Sequence, residues 1–88
     1  MDICFEVKKL RDKWHEGHIE QYRFQAKVYD VGSKFGINKG RVSKLSVWDS
    51  GSEIISYDRG WDKKPEDDEH WVILWELLNR LEELPVDD

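Results

Sequence analysis

The chain is poor in three things: it has one cysteine, Cys4, two prolines, and no long hydrophobic run. A lone cysteine excludes an intrachain disulfide and any zinc framework built on paired cysteines. No apolar stretch approaches the roughly 20 residues that span a bilayer. The N-terminus, Met1-Asp2-Ile3-Cys4-Phe5, has no basic region ahead of its apolar residues, so no signal-peptide pattern is read there. A domain without disulfides suits a reducing cytoplasm.

Positive charge is also in short supply. The formal net charge of the 88 residues is −5, and its distribution is lopsided. Residues 62–88 hold ten acids and three bases, a balance of −7. Residues 1–61 carry the remaining nine acids and eleven bases, a balance of +2. An acidic total does not favour nucleic acid as a partner. An acidic surface element can instead attract a basic site on another protein.

What the chain has in plenty is tryptophan, five in all. Each large aromatic buries roughly 150–250 Å², which a small core needs to offset chain entropy. There is room for one domain, residues 1–88, with one core.

Its clearest element is C-terminal. Trp71, Leu74, Trp75, Leu78 and Leu81 recur at helical spacing, and Ile73, Leu77 and Leu84 widen the stripe. Pro65 suits a first turn, the acids Glu66, Asp67, Asp68 and Glu69 oppose the positive end of the helix dipole, and Pro85 stops the element. A helix is predicted over about 66–84, with Trp71, Leu74, Trp75 and Leu78 buried against the sheet.

Residues 21–29 alternate strictly, with Tyr22, Phe24, Ala26 and Val28 on one face and Arg23, Gln25, Lys27 and Tyr29 on the other. Residues 41–48 repeat the pattern, with Leu45 and Val47 inward and Lys44, Ser46 and Trp48 outward. Asp49-Ser50-Gly51-Ser52 is a turn signal that makes 41–57 a hairpin. Trp14–Glu20 reads as a further strand. Ile3, Phe5 and Val7 alternate as a strand, while Ile3, Val7, Leu10 and Trp14 also fit a helical stripe; the β-forming composition favours the strand. The fold class is therefore α+β, an antiparallel sheet of four to five strands packed against one C-terminal helix.

Two segments contain more special residues than turns require. In Gly32-Ser33-Lys34-Phe35-Gly36-Ile37-Asn38-Lys39-Gly40-Arg41, three glycines permit close approach of a ligand to the backbone, yet neither the P-loop nor the dinucleotide spacing is present. Simple turn chemistry between strands is the alternative. In Tyr57-Asp58-Arg59-Gly60-Trp61-Asp62, two carboxylates flank a guanidinium beside an indole. Arginine grips carboxylate or phosphate through its fork, and tryptophan stacks on a base or guanidinium. A structural corner with Trp61 plugging the core is the competing reading. Arg23, Lys27, Tyr29, Lys44 and Trp48 form a partial basic, aromatic sheet face of the kind that stacks bases, which the total charge opposes.

Catalysis and metal binding find little support. Cys4 sits in an apolar run with nothing nearby to lower its pKa, and no serine has a nucleophile-elbow context. His15, His18 and His70 fit no zinc spacing. No catalytic residue, metal or cofactor is expected.

The chain resembles a family of small uncharacterised proteins from phages, prophages and Gram-positive bacteria. The resemblance rests on Trp14, Gly17, Tyr22-x-Phe24-x-Ala26-Lys27-Val28, Ser33-x-Phe35-Gly36-Ile37, Gly40-Arg41-Val42-Ser43-Lys44-Leu45 and Tyr57-Asp58-Arg59-Gly60-Trp61-Asp62. Residues 1–13 and the acidic helix fall outside it. The resemblance brings no activity; it implies a phage or mobile-element origin and a bacterial cytoplasm as the setting. The leading expectation is a non-enzymatic protein that inhibits a host factor, such as a CRISPR-type immune effector, through Glu66, Asp67, Asp68 and Glu69. The second is a small-ligand binder that sequesters a nucleotide-like signal with Arg41, Asp58, Arg59, Trp61 and Asp62. The third is a structural or accessory domain.

Overall fold

The computed structural model describes residues 3–85. Six antiparallel strands, β1 (Phe5–Lys9), β2 (Trp14–Ile19), β3 (Tyr22–Val28), β4 (Val42–Asp49), β5 (Ser52–Asp58) and β6 (Trp61–Lys63), pair in chain order. One helix, α1 (Asp68–Glu82), follows. The architecture is α+β as expected, but the sheet has six strands rather than four to five. The N-terminal ambiguity resolves to a strand. The additional strand is β6, three residues long, which pairs Trp61 with Tyr57 and Lys63 with Ser56. Its polar Asp62 and Lys63 give no alternation long enough to read.

The expected alternation places the core. Tyr22, Phe24, Ala26 and Val28 are buried on β3, Leu45 and Val47 on β4, and Ile55 and Tyr57 on β5. Phe24 faces Gly17 of β2 across the ladder, and Gly17 in turn faces Val7. A methyl group on Gly17 would strike the Glu6 carbonyl, so glycine is what lets β1 come close enough to pair.

The helix presents Leu74, Leu77, Leu78 and Leu81 to this face, all buried. Trp75, expected in the core, is instead 46% exposed, and Trp71 is half-buried. Both stripes have helical period, and the all-leucine stripe won. The indoles run along the β6 edge instead. Trp61 meets Tyr57 edge-on at 5.1 Å and Trp71 at 6.1 Å, and Trp71 stacks on Trp75 at 6.4 Å. These rings cover the side of the core that a three-residue strand leaves thin.

The helix begins two residues later than expected. Asp67 has extended backbone and its carboxylate accepts from the His70 N–H at 2.9 Å, so it caps the helix rather than lying in it. Pro65 therefore precedes the cap and is buried outside the first turn. Arg80 sits in the last turn, its guanidinium 5.8 Å from the Phe5 ring and 2.8 Å from Glu76.

Tyr22 links the sheet to the helix start. Its hydroxyl donates to Glu69 at 3.1 Å. Burial, reinforced by the Glu69 carboxylate, pushes its pKa from the ordinary 10.0 up to about 12. A raised folded pKa means that the folded state keeps a proton the unfolded chain loses. The stabilisation is complete below pH 10 and drains away as pH climbs to about 12. Denaturant unfolding should therefore show stability falling over that window, and Tyr22→Phe should flatten this part of the curve. An unchanged alkaline slope in the variant would assign the titration to another group.

Candidate functional site

The site originates in a slip of register. β3 and β4 pair regularly from Arg23–Trp48 to Lys27–Lys44, but the next pair is Val28–Val42. Ser43 is thus an extra residue on β4, a bulge that bends the strand. Its backbone carbonyl is satisfied by the Arg59 N–H at 2.9 Å. Ser43 is 4% exposed, and its Oγ has no hydrogen-bond partner among the described residues. Leaving a hydroxyl buried and unpaired costs about 1–3 kcal/mol, a loss that calls for a reason.

Ser43 lines a cavity of about 520 Å³ on the sheet face opposite the helix, together with Lys27, Lys44 and Arg59. Ser33, Phe35, Tyr29 and Val31, from the segment between β3 and β4, close the other side. That volume lies in the range of small-molecule sites. Five large hydrophobic residues are exposed among those described, and three of them, Tyr29 (40%), Val31 (74%) and Phe35 (48%), border this cavity. Apolar side chains gathered at one concave spot, rather than scattered, mark a binding surface.

The walls are held in place from behind. Phe35 donates its N–H to Ser33 Oγ at 3.2 Å, and its carbonyl accepts from the Tyr57 hydroxyl at 2.8 Å. Burial raises the pKa of Tyr57, so this hydroxyl remains a donor throughout the neutral range. The far end of the loop is clamped by Arg41. Its Nε donates to the Tyr29 carbonyl at 2.7 Å, and Nη1 donates to the carbonyls of Glu82 and Leu84 at 2.7 and 2.8 Å. Glu82 completes the clamp by accepting the Arg41 N–H at 2.7 Å. Its carboxylate lies where a Gly40 side chain would be, so Gly40 is required for that approach.

The cavity is cationic. Lys44 Nζ and Arg59 Nε both approach Asp58 Oδ1, at 3.8 and 3.5 Å, leaving three cations against one carboxylate. Lys27 Nζ lies 5.5 Å from the Tyr29 ring and 5.9 Å from Trp14. Lys34 lies 5.1 Å from the Phe35 ring. The Arg59 side chain is 66% exposed. Its backbone sits at φ 57°, in the left-handed region, in the two-residue turn between β5 and β6. An arginine there costs roughly 1–2 kcal/mol that glycine would not. Asp12, Lys13, Glu20, Asn38, Lys39 and Ser50 share this left-handed backbone in turns elsewhere; Arg59 differs in bringing its side chain to the cavity.

The residues singled out from sequence separate into four groups. Asp58 and Arg59 meet the glycine-rich loop at the cavity. Trp61 lies on the helix side against Tyr57 and Trp71, and Asp62 is exposed on β6. The Arg41 guanidinium is turned to the helix end. Among the helix-start acids, Asp67 caps the helix and Glu69 accepts from Tyr22, while Glu66 and Asp68 are exposed. Ser43 and Val31 had not been singled out as site residues. Val31 and Phe35 could have been found as apolar residues in a loop; Ser43 could not, because its place depends on the register slip. No group of three or more His, Cys, Asp or Glu able to hold a metal occurs among the described residues, and no helix is long and apolar enough to cross a membrane.

Comparison with known proteins places the chain in one family. Residues 13–82 match the domain of unknown function DUF7678. The chain belongs to the DUF7678 family. The match runs through α1 to its last residue, so the acidic helix, expected to fall outside the resemblance, is part of the DUF7678 domain, and β1 lies before it. No curated protein matches the chain, and no solved structure does.

The strain at Arg59 gives a direct test. Arg59→Gly should leave stability unchanged or raise it by up to about 1 kcal/mol, because relief of the left-handed backbone offsets the lost surface ion pair. Urea unfolding measures this. A loss of about 3 kcal/mol or more, the cost of breaking a buried pair, would make Arg59 a structural residue of the DUF7678 fold.

Proposed function

We propose that this DUF7678 protein is a non-enzymatic binder of a small nucleotide-like anion, held in the cavity between the glycine-rich loop and the outer face of β3 and β4. The observation that carries the reading is the concave wall that gathers Lys27, Lys44 and Arg59 beside the exposed Tyr29 and Phe35 rings. The Arg59 fork suits phosphate oxygens, with Lys44 and Lys27 as further charges. The Tyr29 and Phe35 rings give the base a stacking surface. Asp58 is the counter-ion of the two nearest cations, Lys44 at 3.8 Å and Arg59 at 3.5 Å. The reading is one of capture rather than conversion.

Isothermal titration with nucleoside 5′-monophosphates, thymidine monophosphate among them, tests it. Binding should weaken with salt. Arg59→Ala should lower affinity by about tenfold or more, the worth of a hydrogen bond between charged groups. Ser43→Ala should leave the fold at least as stable, since it removes an unpaired buried hydroxyl. Absence of heat with every nucleotide, or full affinity in Arg59→Ala, would sink the proposal.

A second reading rests on the other two exposed hydrophobics, Val72 (58%) and Trp75 (46%), on the outward side of α1. With Glu66 and Asp68 exposed at the helix start, they fit a phage or mobile-element protein that inhibits a host factor, such as a CRISPR-type effector, in the bacterial cytoplasm. The useful variant is Glu66→Lys with Asp68→Lys, which spares the Asp67 cap and the Tyr22–Glu69 bond. It should abolish inhibition of a purified effector; inhibition that survives both reversals would remove the acidic run from the interface.

A further inference from the structure

The sheet is covered by the helix on one face only, and its other face sorts charge and rings in an order of its own. On β2 to β4 the outward residues Trp14, Glu16, His18, Gln25, Lys27, Lys44, Ser46 and Trp48 are all half-buried, and Arg23 is exposed. Rings and cations alternate there across the strands. The Arg23 guanidinium lies 5.0 Å from the Trp48 ring, and these two residues are register partners on β3 and β4. Lys27 repeats the arrangement four residues along, with Trp14 as its partner on β2 and Lys44 as its partner on β4. A second cavity of about 410 Å³, lined by Gln21, Arg23, Trp48, Ser50 and Gly51, opens at the Arg23 end.

From these observations we infer that the outer sheet face is a track for single-stranded nucleic acid, in which the nucleotide-like ligand of the proposed function is one unit of a strand. The inference rests on that reading and extends it from one cavity to two. Arg23 and Lys27 are four residues apart on one strand, about 13 Å at about 3.3 Å per residue. An extended single strand bridges that distance with one unit in each cavity. Between them lie Gln25, Ser46 and Ser56, register partners with neutral hydrogen-bonding side chains, and the row continues on β2 to Glu16, the one carboxylate level with them. Base stacking on rings beside cations, along a groove that tracks the backbone, is the physics of sequence-tolerant single-strand binding.

The total charge argued against such a partner, but the fold separates the charges. Glu66, Asp67, Asp68, Glu69, Glu76 and Glu82 belong to the helix and its cap, on the covered side of the sheet. The acids that share the outer face are Glu6 on β1, Glu16 on β2 opposite Gln25, Glu53 on β5 opposite Trp48, and Asp58, between Lys44 and Arg59. Arg23, Lys27, Lys44 and Arg59 therefore face outward together in a protein whose net charge is −5.

The test compares an oligothymidylate of about 12 nucleotides with thymidine monophosphate, by fluorescence anisotropy and titration calorimetry on the full chain. The oligonucleotide should bind about tenfold tighter or more, as one further stacked base provides. Arg23→Gln should bring its affinity down toward that of the monophosphate and leave monophosphate binding unchanged; Trp48→Ala should do the same, with circular dichroism confirming the fold. Arg23→Gln changes an exposed side chain, so it reads out the track even if Trp48→Ala unfolds. If the monophosphate binds but the oligonucleotide gains nothing, the track is overturned and the single-ligand site stands. If neither binds, both fall.

Discussion

One guanidinium holds the site's architecture together. Arg41 joins the end of β3, through the Tyr29 carbonyl, to the carbonyls of Glu82 and Leu84 at the helix C-terminus. Those carbonyls have no partner within the helix, and the cation also sits at the negative end of the helix dipole. The glycine-rich loop is thereby anchored at its Gly40-Arg41 end, while Tyr57 holds Phe35 in its middle. Tyr29 and Phe35, exposed as they are, are carried on backbone that is fixed at both points. A cavity wall of this kind can recognise a ligand without first having to be ordered.

The same economy governs the polar costs. Two features of the cavity work against stability: the unpaired Ser43 hydroxyl and the left-handed backbone of Arg59. They are adjacent, joined by the hydrogen bond from the Arg59 N–H to the Ser43 carbonyl. Left-handed backbone recurs at Asp12, Lys13, Glu20, Asn38, Lys39 and Ser50, so what sets the cavity apart is its concave shape, its cations and its apolar rim. On the helix side the acids cap the helix, accept from Tyr22 or Arg41, pair with Arg80 or face water.

How far the sequence spoke depended on whether a feature was local. The alternation of Tyr22, Phe24, Ala26 and Val28 announced β3 and its buried face without tertiary information, as did Leu45 and Val47 for β4. The Ser50-Gly51 turn fixed the hairpin between β4 and β5. The helix was legible as an element but its rotation was not, because Trp71 and Trp75 share their period with the leucines, and only the ring ladder from Tyr57 through Trp61 shows where the indoles go. β6 was too short to alternate. For the site, Arg59 and the glycine-rich loop were visible as unusual residues, and their meeting was the product of pairing across four strands. Arg41 looked like a ligand-binding arginine beside that loop, since nothing local shows that the helix end lies within its reach. Ser43 read as an ordinary strand residue until the register slip gave it a different role.

The central claim is a location: ligand enters between the glycine-rich loop and the outer face of β3 and β4. Amide chemical-shift mapping during titration with a nucleoside monophosphate measures that location residue by residue. The account predicts the largest shifts at Tyr29, Phe35, Ser43, Lys44 and Arg59, with the helix residues Val72 and Trp75 unmoved. Shifts confined to the helix face, or spread evenly with none concentrated at Ser43 and Arg59, would contradict it.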